Sequence, residues 1–184
     1  MTVIITGSQG NIGQRLMRAF PAATGVDRLP GADIGADLAD CSYREGALAE
    51  ALTTAGCVIH LATSADPDAA PEVHLAAVAA TARLVEACFN AGIPRIVLPS
   101  SDWAAPRDPQ LQINAYGYSK RAIEALAAMY DARQGFRAVA LRIGWVPGSE
   151  AALQAAPDWL RANYWPDEKL ISAFREAAGI EPSG

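Results

Sequence analysis

Tyr116 and Lys120 stand four residues apart in a segment whose apolar spacing predicts a helix from about Ala115 to Arg133. Residues at that separation share a helix face, so the phenol and the amine can reach one ligand together. A free tyrosine ionises near pH ~10 and is a poor base at neutrality. A cation within about 4–6 Å favours the phenolate and brings proton abstraction from a hydroxyl within reach. Just upstream, Ser100 and Ser101 close the apolar run that starts at Arg95. A hydroxyl there suits holding a substrate oxygen; Ser101 is the first candidate, with Ser100 beside it. A Tyr and a Lys at helical spacing are also ordinary on an exposed helix face. The chemistry therefore requires a cleft and a second reactant next to them.

Gly7-Ser8-Gln9-Gly10-Asn11-Ile12-Gly13 supplies that context, because it follows a short β-branched run and opens a helix. Gly7 permits the tight turn, Gly10 lets backbone approach a pyrophosphate, and Gly13 lets helix and strand pack closely. The helix start offers free N–H groups to the anion, and Gln9, Asn11 and Ile12 join the glycines as cofactor-contacting residues. About twenty residues after Gly7 comes Asp27, at the expected end of the second strand, where a carboxylate accepts hydrogen bonds from the adenosine ribose and repels a 2′-phosphate. That favours NAD. Arg28 beside it could hold the phosphate of NADP instead, so NADP stays open. With an oxidised nicotinamide adding its positive charge to Lys120, a fall of about three units in the tyrosine pKa, roughly 4 kcal/mol, becomes reasonable. Tyr116 and Lys120 then face the cofactor as well as the substrate, and Lys120 can also bind the nicotinamide ribose.

These groups need a scaffold that brings distant segments to one edge. Thr2 to Thr6, Ala23 to Asp27, Ala32 to Ala36, Cys57 to Ala62, Arg95 to Ser100 and Phe136 to Ile143 read as six strands. Helical periodicity lies between them, in a stretch with Ile12, Leu16 and Phe20 stopped by Pro21, and in one capped by Asp40 or Ser42 that carries Leu48 and Leu52. It lies also in Pro71 to Ala91 and in the Tyr116 segment. Asp102 to Asn114 reads as a loop. Strand and helix alternate, which predicts an α/β doubly wound parallel sheet, order 3-2-1-4-5-6, with ligands at the carboxyl ends of the first and fourth strands. The boundary of this unit is expected at 1–148. Residues 149–184 read as a short appended helical segment, rich in Trp and Pro, with Asp167 to Ala178 an amphipathic helix ending at Gly179.

The chain has 184 residues, and at roughly 150 residues per domain that predicts one domain. Fifteen Lys and Arg against twenty Asp and Glu give a net charge of −5, which opposes phosphate backbones and anionic lipid. Neither nucleic acid nor membrane is an expected partner; a small molecule is. Cys41, Cys57 and Cys88 form no C-x-x-C pair and read as reduced thiols in a cytoplasmic protein. His60, at a strand end, reads as a hydrogen-bonded packing residue, and His74 offers no ligand spacing with it, so no metal site is expected. Arg142 reads as a structural ion-pair partner. Trp159, Tyr164 and Trp165 predict an apolar surface that a homodimer would cover.

With these motifs in hand, the chain resembles the short-chain dehydrogenase/reductase superfamily, and within it the extended, NAD-dependent epimerase/dehydratase-like branch. The resemblance rests on Thr6 to Gly13, Asp37-Leu38-Ala39-Asp40, His60-Leu61-Ala62, Ser100-Ser101, Tyr116-Gly117-Tyr118-Ser119-Lys120 and Leu141 to Gly148. It implies that Asp37 and Leu38 flank the adenine and that Leu61 and Ala62 line the cofactor cleft. It further implies that Ser101, Tyr116 and Lys120 form the catalytic set and that Val146 lies near the nicotinamide. Where family members carry an asparagine in the long helix, the stretch Leu75 to Thr81 carries alanine. The tail from Arg161 to Leu170 resembles, faintly, that of uronate dehydrogenases, which would make Arg161 a clamp for a sugar carboxylate. Three readings follow: a dehydrogenase acting on a small polar substrate such as a sugar or sugar acid, a nucleotide-sugar epimerase or dehydratase, and a non-catalytic NAD(P)-binding redox sensor.

Overall fold

The computed structural model describes residues 1–105 and 112–180. The middle of the expected Asp102 to Asn114 loop and Pro182 of the tail lie outside the described residues. Six parallel strands form one sheet in the order β3-β2-β1-β4-β5-β6, as the alternation predicts. They are β1 (Val3–Thr6), β2 (Thr24–Asp27), β3 (Ile34–Gly35), β4 (Cys57–His60), β5 (Arg95–Ser101) and β6 (Arg137–Ile143). The order reverses between β1 and β4, which pair from Val3↔Cys57 to Thr6↔His60, so their carboxyl ends open a crevice at the switch point.

Side chains alternate across this sheet and divide the core in two. Ile4, Val58, Ile96 and Leu98 face one layer with Leu48, Leu52, Leu84, Val85 and Ile123. Those come from α2 (Ala47–Leu52), α3 (Pro71–Asn90) and α4 (Ala115–Asp131). Val3, Ile5, Cys57, Ile59 and Val97 face the opposite layer with Leu16, Leu170 and Phe174, from α1 (Asn11–Ala19) and α7 (Asp167–Ala178). The C-terminal helix is thus a full member of the second layer, with Leu170 and Phe174 completely buried. It stops at Gly179, whose φ of 68° is the left-handed conformation that the expected C-terminal glycine supplies.

Several boundaries differ from expectation for local reasons. The helix α2 starts at Ala47 after Gly46, with no side-chain cap, so neither Asp40 nor Ser42 caps it. Asp37 and Ser42 instead organise turns by accepting from the amides of Ala39 and Arg44. The strand β3 shrinks to two residues because it pairs only with β2. Two short helices, α5 (Glu150–Ala155) and α6 (Asp158–Arg161), precede α7. Among the described residues no helix is long and apolar enough to cross a membrane.

The tail aromatics are mostly engaged internally. Trp165 packs onto Gly144, where a methyl group would lie 2.3 Å from the indole. The Trp145 amide donates to Asn163 O (2.7 Å) and the Trp165 amide to Trp145 O (2.8 Å), a strand-like staple beyond β6. Tyr164 stands edge-on to Trp145, which leaves Trp159 as the exposed member of the three.

Candidate active site

The glycine loop is held from below and from the side. Gly7 has φ 72°, and a side chain there would meet the backbone of Leu61 and Ala62 at 2.6–2.8 Å, so the β1 and β4 ends nearly touch. Gly10 precedes α1 and no side chain caps that helix, which leaves its first-turn N–H groups to an anion. The Asn11 amide nitrogen donates to Val146 O (2.9 Å), and Arg15 donates to Pro147 O (2.7 Å) and pairs with Asp167. The turn after β6 is thereby tied to the glycine helix.

A buried polar chain fixes the other wall. Thr81 spends its one hydroxyl proton on Ala77 O (2.8 Å), so its oxygen accepts from His60 Nε2–H (2.9 Å). His60 Nδ1 is therefore bare and accepts from Thr6 Oγ1 (2.7 Å), which itself accepts from the Leu61 amide (3.3 Å). Burial pushes the His60 pKa down to about 3, and the Lys120 charge adds to that. His60 is a neutral strut between β1, β4 and α3, in line with the packing role read from sequence.

Tyr116, Lys120 and Ser101 come together at the carboxyl end of β5. Asn114 caps α4 by accepting from the Gly117 amide (2.9 Å). Gly117 lets the helix approach the turn after β5, since a methyl there would lie 2.5 Å from Trp103 O. Lys120 is 3% exposed, donates to Thr63 Oγ1 (3.3 Å) and sits 5.0 Å from the centre of the Tyr116 ring. Burial lowers its pKa to about 8, so it is still mostly an ammonium at neutral pH. Burial raises the Tyr116 pKa, with the Ser101 hydrogen bond pulling the other way. The lowering expected from Lys120 thus needs the additional positive charge of a bound cofactor.

One cavity of about 490 Å³ joins these parts, within the range of small-molecule sites. Gly7, Gly10, Asn11, Ile12 and Gly13 line one part, and Leu61, Ser100, Ser101, Tyr116, Lys120 and Val146 another. The glycine cradle, the uncapped helix start and the continuous cavity fit a dinucleotide. Ala62 flanks Gly7. Asp27 accepts from the Gln9 amide (2.9 Å) and the Leu29 amide (3.0 Å), which holds its carboxylate beside the loop. Arg28 is largely exposed and leans toward Asp37 (3.9 Å), while Leu38 is buried.

Two residues are engaged elsewhere. Ser100 donates to Glu124 Oε1 (2.5 Å), and Arg142 grips the same carboxylate with Nε and Nη2 at 2.6 and 2.8 Å. Hydrogen bonds from Arg142 hold the Glu124 carboxyl below its ordinary range. Arg142 is therefore an ion-pair partner, and Ser101 is the serine left facing the phenol. Arg161 pairs with Asp158 and reaches Gln154 O (3.4 Å), and the structure does not bring it into the cavity lining. Sequence reasoning missed Thr63, Trp103, Trp145 and Asn163, which do line it. For Thr63 the signal was present, two residues past Leu61 at a strand end; the others depend on long-range packing. It also missed His74, whose buried Nε2 has no hydrogen-bond partner among the described residues, an arrangement that costs about 1–3 kcal/mol.

Similar proteins agree with this geometry. The L-arabinose 1-dehydrogenase (NAD(P)(+)) of Haloferax volcanii is 30% identical over 169 residues, covering 78% of this chain and 66% of that protein. The structure of MoeE5 in complex with UDP-glucuronic acid and NAD is 26% identical with a TM-score of 0.73, covering all of this chain and 74% of that one. A short-chain dehydrogenase/reductase superfamily protein from Agrobacterium tumefaciens with bound NAD shares the fold, at 24% identity and a TM-score of 0.64, over 78% of this chain and 49% of that one. The chain therefore spans from about half to three quarters of these relatives' lengths. Residues 3–162 match the model of the NAD dependent epimerase/dehydratase family, and with the glycine cradle and the Tyr116–Lys120 pair in one cavity, the chain belongs to that family.

Proposed function

We propose that this chain is an NAD-dependent oxidoreductase acting on a hydroxyl-bearing carbon of a small sugar. The observation that carries the reading is the convergence of Ser101, Tyr116 and Lys120 with an uncapped glycine-helix start on one cavity. A bound nicotinamide ring would supply the hydride acceptor and a positive charge. Gly7, Gly10 and Gly13 would admit the pyrophosphate, Asp27 would receive the adenosine ribose, and Lys120 would reach the nicotinamide ribose. Ser101 would hold the substrate oxygen, and Tyr116 is placed to take the proton of the substrate hydroxyl. Lys120, cationic at neutral pH, favours the phenolate, its Nζ lying 5.0 Å from the centre of the ring.

The test is to mix the protein with NAD or NADP and a panel of L-arabinose, other neutral aldoses, uronates and nucleotide sugars, and to follow the absorbance of reduced nicotinamide. Net reduction with a neutral sugar is expected. NAD should be preferred to NADP by about tenfold in kcat/KM, or about 1.4 kcal/mol, because Asp27 meets the 2′-phosphate with like charge. Reduction by none of the panel, or an NADP preference, would reject the corresponding part of the proposal. Similarity to MoeE5, whose structure holds UDP-glucuronic acid, supports a second reading, nucleotide-sugar epimerisation or dehydration. Conversion of a nucleotide sugar with no net NADH would favour it. A homodimer is the expected association, supported by Leu75 on α3 and Tyr118 and Met129 on α4, exposed apolar side chains on two helices that pack together. Sedimentation as a monomer at micromolar concentration would refute it.

A further inference from the structure

The molecule buries two histidines, and they are treated oppositely. Both ring nitrogens of His60 have partners, whereas His74, 2% exposed, keeps its buried Nε2 without one among the described residues. Native proteins rarely leave such an atom unsatisfied, and an apolar ring of the same shape would leave no buried Nε2 to satisfy. What His74 touches is informative. Its ring stands edge-on to Tyr116, with centroids 5.6 Å apart and planes at 64°. Trp103 stands edge-on to the same phenol at 6.4 Å, and Lys120 lies 5.0 Å from its ring centre. Of these three neighbours, His74 is the one whose side chain carries a buried nitrogen without a partner among the described residues.

The geometry points to His74 as a positioning residue for Tyr116, its Nε2 gaining a hydrogen bond on the phenol side only when the site holds its ligands. The inference rests on the reading of Tyr116 as the base. The imidazole is not among the residues that line the cavity; it acts through the phenol, by restricting the orientation in which the oxygen meets a substrate hydroxyl. A fraction of an ångström in that orientation is enough to change turnover by an order of magnitude.

His74→Phe keeps a ring against Tyr116 and removes both nitrogens. In this variant the melting temperature of the ligand-free protein should stay level or rise, and the Kd for NADH should stay within about twofold of wild type. The kcat should fall about tenfold with little change in substrate KM. His74→Gln, which returns a polar atom near the Nε2 position, should recover part of that loss. A wild-type kcat in His74→Phe would overturn the inference. So would a melting temperature and NADH affinity that fall together with kcat, the pattern of a packing residue. Tyr116→Phe separates the two claims: if it is inactive while His74→Phe is fully active, only the His74 inference fails, and if it stays active, the base assignment itself fails.

Discussion

Replacing Tyr116 with phenylalanine is expected to leave NAD binding within about twofold of wild type and to lower turnover by about two orders of magnitude or more. The change removes one oxygen from a ring held on three sides by His74, Trp103 and Lys120, so packing survives and only proton transfer is lost. Burial raises the phenol's pKa in the ligand-free protein, and Lys120 pays out its charge mainly at the moment when a phenolate forms. Uniform binding with lost kcat is the kinetic signature of a group used in the transition state. Single-turnover reduction of NAD, alongside NADH fluorescence titration, measures both halves of the expectation. Turnover within threefold of wild type would remove Tyr116 from the mechanism.

Gly13→Ala should weaken the cofactor binding that Tyr116→Phe leaves intact. The added methyl would lie 2.0 Å from Gly7 O and 2.8 Å from the Ser8 backbone, and neither obstacle is a side chain that can swing away. The loop or the helix start must move, at an expected loss of about 3 kcal/mol or more in stability. Since that helix start and that loop form the anion cradle, NADH affinity should fall at least tenfold in whatever fraction folds. Gly35→Ala is the matched control, because a methyl there meets nothing within 4 Å. Denaturant unfolding and NADH titration of both variants decide the matter; equal behaviour of the two would contradict the packing argument.

The sheet order and the glycine loop were legible because they are written in local pattern: β-branched runs, glycines at fixed offsets, and helices stopped by Pro21, Gly92 and Gly179. The pairing of Tyr116 with Lys120 was legible for the same reason, since four residues of helix fix their relation. Sequence put Ser101 ahead of Ser100 without a structural ground. Only the fold brings Glu124 and Arg142 to one of them, and strand alternation points the other at the phenol. Arg161 illustrates the same limit: an arginine in a tail can be assigned to a carboxylate on a substrate or on Asp158, and the nearer partner takes it. The tryptophans were visible as a change in composition, yet their use as cavity wall and as the cover of Gly144 depends on contacts between β6 and the tail. His74 had no signature at all, because an unpartnered nitrogen is a property of its surroundings.

The helix α7 covers one face of the sheet with Leu170 and Phe174, against β5, β6 and the β4 residues that lie far from it in sequence. During synthesis, the part of that face that α1 does not cover stays open until the chain has emerged through Ala178. Glycine loop, phenol and amine can all have emerged by then on a sheet greasy on one side, a nascent species that invites chaperone capture, and cofactor competence should arrive late and all at once.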